Sequence, residues 1–331
     1  MADATENRTA IDRKLPGLAR ALNDEEMRLL LSSSLPGWFD GGNLLTQVRH
    51  QVLKHAPGKR CVIEYRLEAA GNPPPWRIIG KMYRKDRGRV AFENLRLLWQ
   101  AAGENSRAGA RFGMAQPLAY LPDIGMVLQS VVPGRRLADF AVSDDLFEAV
   151  RGVAENLAAL HGLAVPAGEK RALGDHIRKY CHPGPEVLIA SCPESAPLVE
   201  SMLAGLAKDE SLPDAPVCPV HGDLNLAQIF IAAGRAWFID FDGFCLSHAA
   251  LDIGNFLATL QVYFGPNHAA LTKVFLESYL KSRSPQMLTG LRTYQAFAYL
   301  RRAVICARAP AVADWREQVR QLLETGNILL A

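Results

Sequence analysis

The apolar positions of this chain follow two periods, and the places where one gives way to the other mark its organisation. In residues 1–40, Leu22 precedes an acidic opening, Asp24-Glu25-Glu26, and Met27, Leu29, Leu30 and Leu31 follow. That spacing predicts an amphipathic helix ending before Pro36-Gly37. From Leu45 the pattern turns strand-like: residues 45–55, a turn at Ala56-Pro57-Gly58, CVIEYRL over 61–67, a break at Gly71-Asn72-Pro73-Pro74-Pro75, then WRIIGKMY over 76–83. Three strands separated by turn residues predict an antiparallel sheet. VAFENLRLLWQA reverts to the helical period, with positions 91, 92, 95, 98 and 99 on one face. Residues 112–130 hold two short apolar runs around Pro122-Asp123.

Beyond residue 140 the helical period dominates. Phe147, Val150, Val153, Leu157 and Leu160 share a face, and Leu251 to Leu260 places Ile253, Phe256, Leu257 and Leu260 on another. Residues 163–215, rich in Pro, Ala and Glu, contain helices whose order the pattern leaves open. The stretch His221 to Asp242, HGDLNLAQIFIAAGRAWFIDFD, interrupts this region. It reads as a loop, a strand over 229–231, a turn at Ala233-Gly234 and a second strand over 236–241.

A hairpin of that kind returns Asp240 toward the loop that carries Asp223 and Gln228, bringing three oxygen-bearing side chains together. This grouping suits phosphoryl transfer, which asks a protein for positioning and charge neutralisation more than for covalent chemistry. Asp223 is the candidate acceptor of the attacking hydroxyl's proton, and Gln228 and Asp240 are candidate Mg²⁺ ligands. Asp242 faces the same side as Asp240 on an extended strand. It either binds a second metal or hydrogen-bonds the loop.

These residues carry a resemblance. The stretch is similar to the aminoglycoside phosphotransferase and choline kinase family, whose pattern is HGDxxxxN followed by a strand ending IDF or IDW. His221, Gly222, Asp223, Ile239, Asp240 and Phe241 match it, and Gln228 departs from it. Maltokinases carry glutamine in that place, and the longer stem puts the metal geometry in question because Mg²⁺ demands near-ideal octahedral distances.

The resemblance implies an α+β, two-lobed, protein-kinase-like fold. Its parts would be an N-terminal helical segment (1–40), a small sheet-rich nucleotide-binding lobe (41–130) and a larger helical catalytic and substrate lobe (131–331). It implies ATP and Mg²⁺ as cofactors, and Lys81 on the third strand held by Glu93 so that its ammonium meets the phosphates. Lys85 is the rival for that lysine. The backbone of Gln129, Ser130 and Val131 would meet the nucleobase at a hinge, although an ordinary strand and loop explains that stretch equally well. His221 and Asp252 would support the loop; capping of the following helix by itself accounts for Asp252. His161 reads as a packed helix-end residue.

Composition narrows the classes. With 331 residues and 49% hydrophobic content the chain can bury one or two cores. No apolar run approaches the roughly 20 residues a membrane helix needs, and the N-terminus MADATENRTAIDRK has no apolar signal region. A cytoplasmic protein with no membrane partner is expected. The six cysteines are scattered without a CxxC pair, so they read as reduced core thiols.

Charge is uneven: residues 41–140 carry 16 Lys+Arg against 7 Asp+Glu. No nucleic-acid motif accompanies this excess, so no nucleic-acid partner is expected. Residues 271–331 carry 9 basic against 4 acidic residues, a poor lure for a polycation. The expected partner is a small-molecule hydroxyl acceptor, a sugar, amino alcohol or aminoglycoside-like compound. A neutral or anionic one is favoured, with maltose or a related polyol leading. The alternative is a nucleotide-binding pseudokinase with a regulatory role, motivated by Gln228 and a first turn, HAPGKR, with a single glycine.

Overall fold

The computed structural model describes residues 12–39, 44–70, 76–107, 112–182, 184–208, 215–310 and 313–331. The predicted break at 71–75 lies outside them. The chain divides into two compact units, residues 1–103 with 114–133, and residues 104–113 with 134–331.

In the first unit a single helical turn, Leu18–Ala21, precedes α1 (Asp24–Ser34). Asn23 caps it, its side-chain oxygen accepting from the backbone N–H of Glu25 and Glu26 at 3.1 Å each. Such a cap stabilises by about 1 kcal/mol. Strands β1 (Leu45–Ala56), β2 (Arg60–Ala69) and β3 (Trp76–Tyr83) follow, then α2 (Arg87–Arg107), β4 (Pro117–Leu121) and β5 (Met126–Ser130). All strand pairs are antiparallel, in the order β1-β2-β3-β5-β4.

Period-two alternation decides which face is covered. Cys61, Ile63, Tyr65 and Leu67 of β2 are fully buried and pack with Met27 and Leu31 of α1. Each large apolar side chain buried in this way stabilises by about 1.5–3 kcal/mol. Tyr65 satisfies its hydroxyl by donating to the Ala21 carbonyl at 2.7 Å. The N-terminal helix thus closes one face of the sheet.

The second unit is mostly helical. Its helices are α3 (Asp144–His161), α4 (Leu173–Tyr180), α5 (Glu186–Ser191), α6 (Ala196–Lys208), α7 (Ala250–Phe264), α8 (His268–Leu280), α9 (Leu291–Arg308) and α10 (Trp315–Leu330). Short strands lie among them: β6 (Arg135–Arg136), β7 (Val217–Val220), β8 (Ile229–Ala232), β9 (Arg235–Phe238) and β10 (Cys245–His248). β8 and β9 form the predicted hairpin, with Ile229 opposite Phe238, and β10 pairs with β7.

Helix α7 is buried on every side from Ala250 to Leu260. It approaches α9 so closely that a Cβ at Gly254 would lie 2.7 Å from the Gln295 backbone nitrogen. Among the described residues no helix is long and apolar enough to cross a membrane. The six cysteines are free, five of them buried.

Candidate active site

The turn His221-Gly222-Asp223 follows β7 and is held by one carboxylate. Asp252, in the first turn of α7, is fully buried and accepts from the backbone N–H of His221 at 2.6 Å and of Gly222 at 2.8 Å. His161, at the end of α3, lies with Nε2 3.3 Å from Asp252 and Nδ1 2.7 Å from the Tyr279 hydroxyl. Asp252 therefore ties the turn to two helices. Gly222 has φ +79°, and a Cβ there would sit 2.3 Å from the Gly243 carbonyl oxygen, so only glycine fits.

His221 joins the turn to the residues after the hairpin. Its Nε2 donates to the Ile239 carbonyl at 2.9 Å, its Nδ1 accepts the Asp223 N–H at 3.4 Å, and its ring packs against Phe241 at 4.5 Å between centroids. The loop beyond Asp223 closes on itself. The Asn225 side chain donates to the Asp223 carbonyl at 3.2 Å and accepts from Ala227 N–H at 3.0 Å, while Gln228 Oε1 accepts from Asn225 N–H at 3.2 Å. Gln228 is buried, with one lone pair of its amide oxygen engaged by the loop.

Strand β9 ends at Phe238, short of the expected Phe241. The reason is Asp240, which adopts a left-handed backbone at φ +69° and breaks the extended run before the 3₁₀ turn Phe241–Gly243 that carries Asp242. Such a conformation costs an L-residue about 1–2 kcal/mol, though Asp tolerates it better than most. It is a conformation that clusters at functional sites. The Ile239 N–H donates to the Gln228 carbonyl at 3.0 Å. Gln228, Asp240 and Asp242 thus belong to two segments tied by backbone hydrogen bonds.

Among the described residues no three His, Cys, Asp or Glu side chains gather as a metal cluster. The expected set, two carboxylates and an amide, offers oxygen donors only. That suits Mg²⁺, which keeps waters and substrate phosphates in its shell and needs only one or two carboxylates from the protein.

In the first unit, Lys81 lies buried on β3 with its ammonium 5.1 Å from the Tyr83 ring centroid. Glu93 lies on α2, exposed, and accepts from Arg89 at 3.0 Å. Lys85 follows the strand with φ +58°. Gln129 and Ser130 end β5, where Gln129 is opposite Ile79, and Val131 follows.

Several residues at the site were not anticipated from the sequence. The Arg301 guanidinium is ion-paired with Asp223 and lies 4.2 Å from the Tyr180 ring centroid. Burial, and then the Asp223 charge, push the Tyr180 phenol well above its ordinary range, so it stays neutral. Arg171 donates to the Gly243 carbonyl at 3.2 Å. A cavity of about 420 Å³ opens beside Asp223 between α7, α9 and α10, lined by Asn255, Thr259, Tyr263, Arg301 and Arg302 among others. That is the size of a small-molecule site. The only prior signal was two consecutive arginines inside the apolar run of α9.

A sequence profile of the phosphotransferase enzyme family matches residues 95–297. No curated protein sequence matches the chain. Solved structures resemble it at low identity. A choline kinase from Cryptosporidium parvum Iowa II has a TM-score of 0.60 at 14% identity, covering 92% of this chain and 94% of that one. An amicoumacin kinase in complex with AMP-PNP, Ca²⁺ and Ami has a TM-score of 0.61 at 15% identity, covering 94% and 95%. A macrolide 2'-phosphotransferase from Brachybacterium faecium has a TM-score of 0.53 at 17% identity, covering 88% and 97%. The likeness is one of fold, protein-kinase-like and α+β.

Proposed function

The chain belongs to the phosphotransferase enzyme family, and from that premise we propose that it transfers the γ-phosphoryl group of ATP to a hydroxyl of a small molecule such as a sugar, amino alcohol or aminoglycoside-like compound. The observation that carries this reading is the Asp252 clamp, which fixes the His221-Gly222-Asp223 turn and leaves the Asp223 carboxylate on the wall of a ligand-sized cavity. The acceptor oxygen forms the new bond to the γ-phosphorus, the bond to the β–γ bridging oxygen breaks, and ADP leaves. Asp223 takes the hydroxyl proton.

Gln228, Asp240 and Asp242 are the proposed holders of Mg²⁺, whose contribution is to neutralise charge on the phosphates. Lys81, with Glu93 as its anchor, is assigned to the phosphates and the backbone of Gln129, Ser130 and Val131 to the nucleobase. Glu93 would have to leave Arg89 for that role. Neighbours bound to AMP-PNP and to ADP support ATP as the donor. The cytoplasmic location expected from the sequence is kept as part of the proposal. The pseudokinase alternative finds no support in the family or in the neighbours, which are named as kinases and phosphotransferases.

The test is incubation with ATP and Mg²⁺ against kanamycin, maltose, choline and homoserine at matched ionic strength. ADP release and the phosphorylated product, read by mass spectrometry, should appear together for at least one acceptor. ADP release at the same rate with and without every acceptor would contradict it.

A further inference from the structure

The cavity beside Asp223 has an unusual balance of hydrogen-bonding groups. Among the described residues its charged lining consists of Asp223, Arg301 and Arg302, with no second carboxylate. Asp223 and Arg301 are already paired with one another. Arg302 is different: it is partly buried on α9 and makes no side-chain hydrogen bond or ion pair among the described residues. Burial draws its proton affinity down from the usual guanidinium range, against smaller opposing contributions from Tyr263, Tyr299 and Asp223.

A second group on the same wall is unsatisfied. Asn255 is 5% exposed, and its side-chain Nδ2 is buried with no hydrogen-bond partner. Leaving a buried donor unpaired costs a protein about 1–3 kcal/mol, so a ligand acceptor or a water that reaches this wall completes its bonding. The Thr259 hydroxyl donates to the Asn255 backbone carbonyl and makes no hydrogen bond to that amide nitrogen. The unpartnered groups on this wall thus include a guanidinium and an amide N–H, both donors. A polycation would find here a single carboxylate, already neutralised, and two arginines.

We infer that the acceptor is a hydroxyl compound bearing a carboxylate or phosphate group, which Arg302 and the Asn255 amide bind while its hydroxyl meets Asp223. This rests on the kinase reading above and narrows its substrate class. Planar guanidinium forks match both anions, so the shared chemistry is an oxyanion. The bound anion gives Arg302 the partner that it lacks.

The experiment uses scaffolds matched except for one substituent: glucose, glucuronate and glucose 6-phosphate, with glycerol, glycerate and glycerol 3-phosphate as a second set and kanamycin as a cationic control. Binding is followed by titration calorimetry on the full chain, and ADP release in parallel, for the parent, Arg302→Gln and Arg302→Lys, with thermal melts for folding. Asn255→Ala is a second variant in the same assays. Charge-assisted hydrogen bonds predict at least about a tenfold preference for an anionic member over its neutral counterpart. That preference should vanish in Arg302→Gln, return in part in Arg302→Lys and weaken in Asn255→Ala. The carboxylate and phosphate arms show which anion is preferred.

Equal affinity for charged and neutral members would overturn the inference. So would binding of no anionic probe, or a preference that Arg302→Gln and Asn255→Ala both leave intact. The kinase reading fails separately, by absence of Mg·ATP binding and of acceptor-dependent ADP release for every compound, kanamycin included.

Discussion

Arg301 places its guanidinium on the carboxylate of Asp223 while stacking against Tyr180. The pair spans 78 residues of sequence and joins the proposed base to helix α9. The arginine supplies the counter-charge that holds the carboxylate in place, so the two side chains should act as a unit.

Asp223→Asn should lower turnover by roughly 10²–10⁴-fold, the usual worth of a positioned general base, with Mg·ATP binding unchanged. Arg301→Ala should cost roughly 10–100-fold, the equivalent of one charge-assisted hydrogen bond. In the Asp223→Asn background the same change should cost little, because the group that it positions is gone. Additive losses in the double variant would show that the pair is not one unit.

Asp252→Ala should destabilise the second unit by about 2–5 kcal/mol. It removes a buried carboxylate that satisfies two backbone N–H groups and contacts His161, leaving both N–H groups and the His161 Nε2 without a partner. Urea titration monitored by fluorescence measures this. A loss of activity with an unchanged midpoint would move Asp252 from support to chemistry.

Much of this site was legible because its elements lie close together in sequence. The HGD turn, the β8–β9 hairpin and the α7 pattern that carries Asp252 are local signals, and turn residues and periodicity suffice to place them. Arg301, Arg302 and Tyr180 were not legible, since only tertiary packing brings α4 and α9 to the turn. Two arginines within an apolar helical run are visible as an anomaly but point nowhere by themselves. The end of β9 was misplaced because Ile239 and Phe241 continue the apolar pattern while Asp240 breaks the backbone. The sheet was anticipated as three strands, and the two short runs around Pro122 supply the other two. Hydrophobicity does not state where a short strand pairs.

His176 gives the protein a pH-dependent stability. It is fully buried, stacked on Tyr180, with Nε2 3.1 Å from the Ser247 hydroxyl and Nδ1 unpartnered. Burial first, then Arg171 and Lys179, bring it from 6.5 down to about 4, against smaller opposing contributions from Asp252 and Asp175. The folded value is depressed, so the neutral ring carries no penalty above the unfolded value near 6.5. As pH falls from there to about 4 the unfolded chain takes up a proton that the folded one refuses. Stability should drop by up to about 1.4 kcal/mol per pH unit in that window. Denaturation midpoints between pH 7 and 4 should fall less steeply for His176→Gln than for the parent; parallel curves would exclude His176 as the source.

Gln228→Asn should keep part of the activity, and Gln228→Leu should lose it, since only the first retains an amide oxygen for Mg²⁺. The leucine also removes the bond to Asn225 N–H, so Mg²⁺ titration of the nucleotide complex is the readout that isolates the metal. A fully active leucine variant would assign the metal to Asp240 and Asp242 without it.

Asp223 is the proposed base that removes the acceptor's proton during transfer from ATP. Single-turnover transfer from radiolabelled ATP to a turned-over acceptor tests it directly, with the parent and Asp223→Asn compared at saturating Mg·ATP. Both proteins should bind the nucleotide alike, and the variant should form labelled product at least about 10²-fold more slowly. Labelled product forming at the parent rate in Asp223→Asn would contradict it.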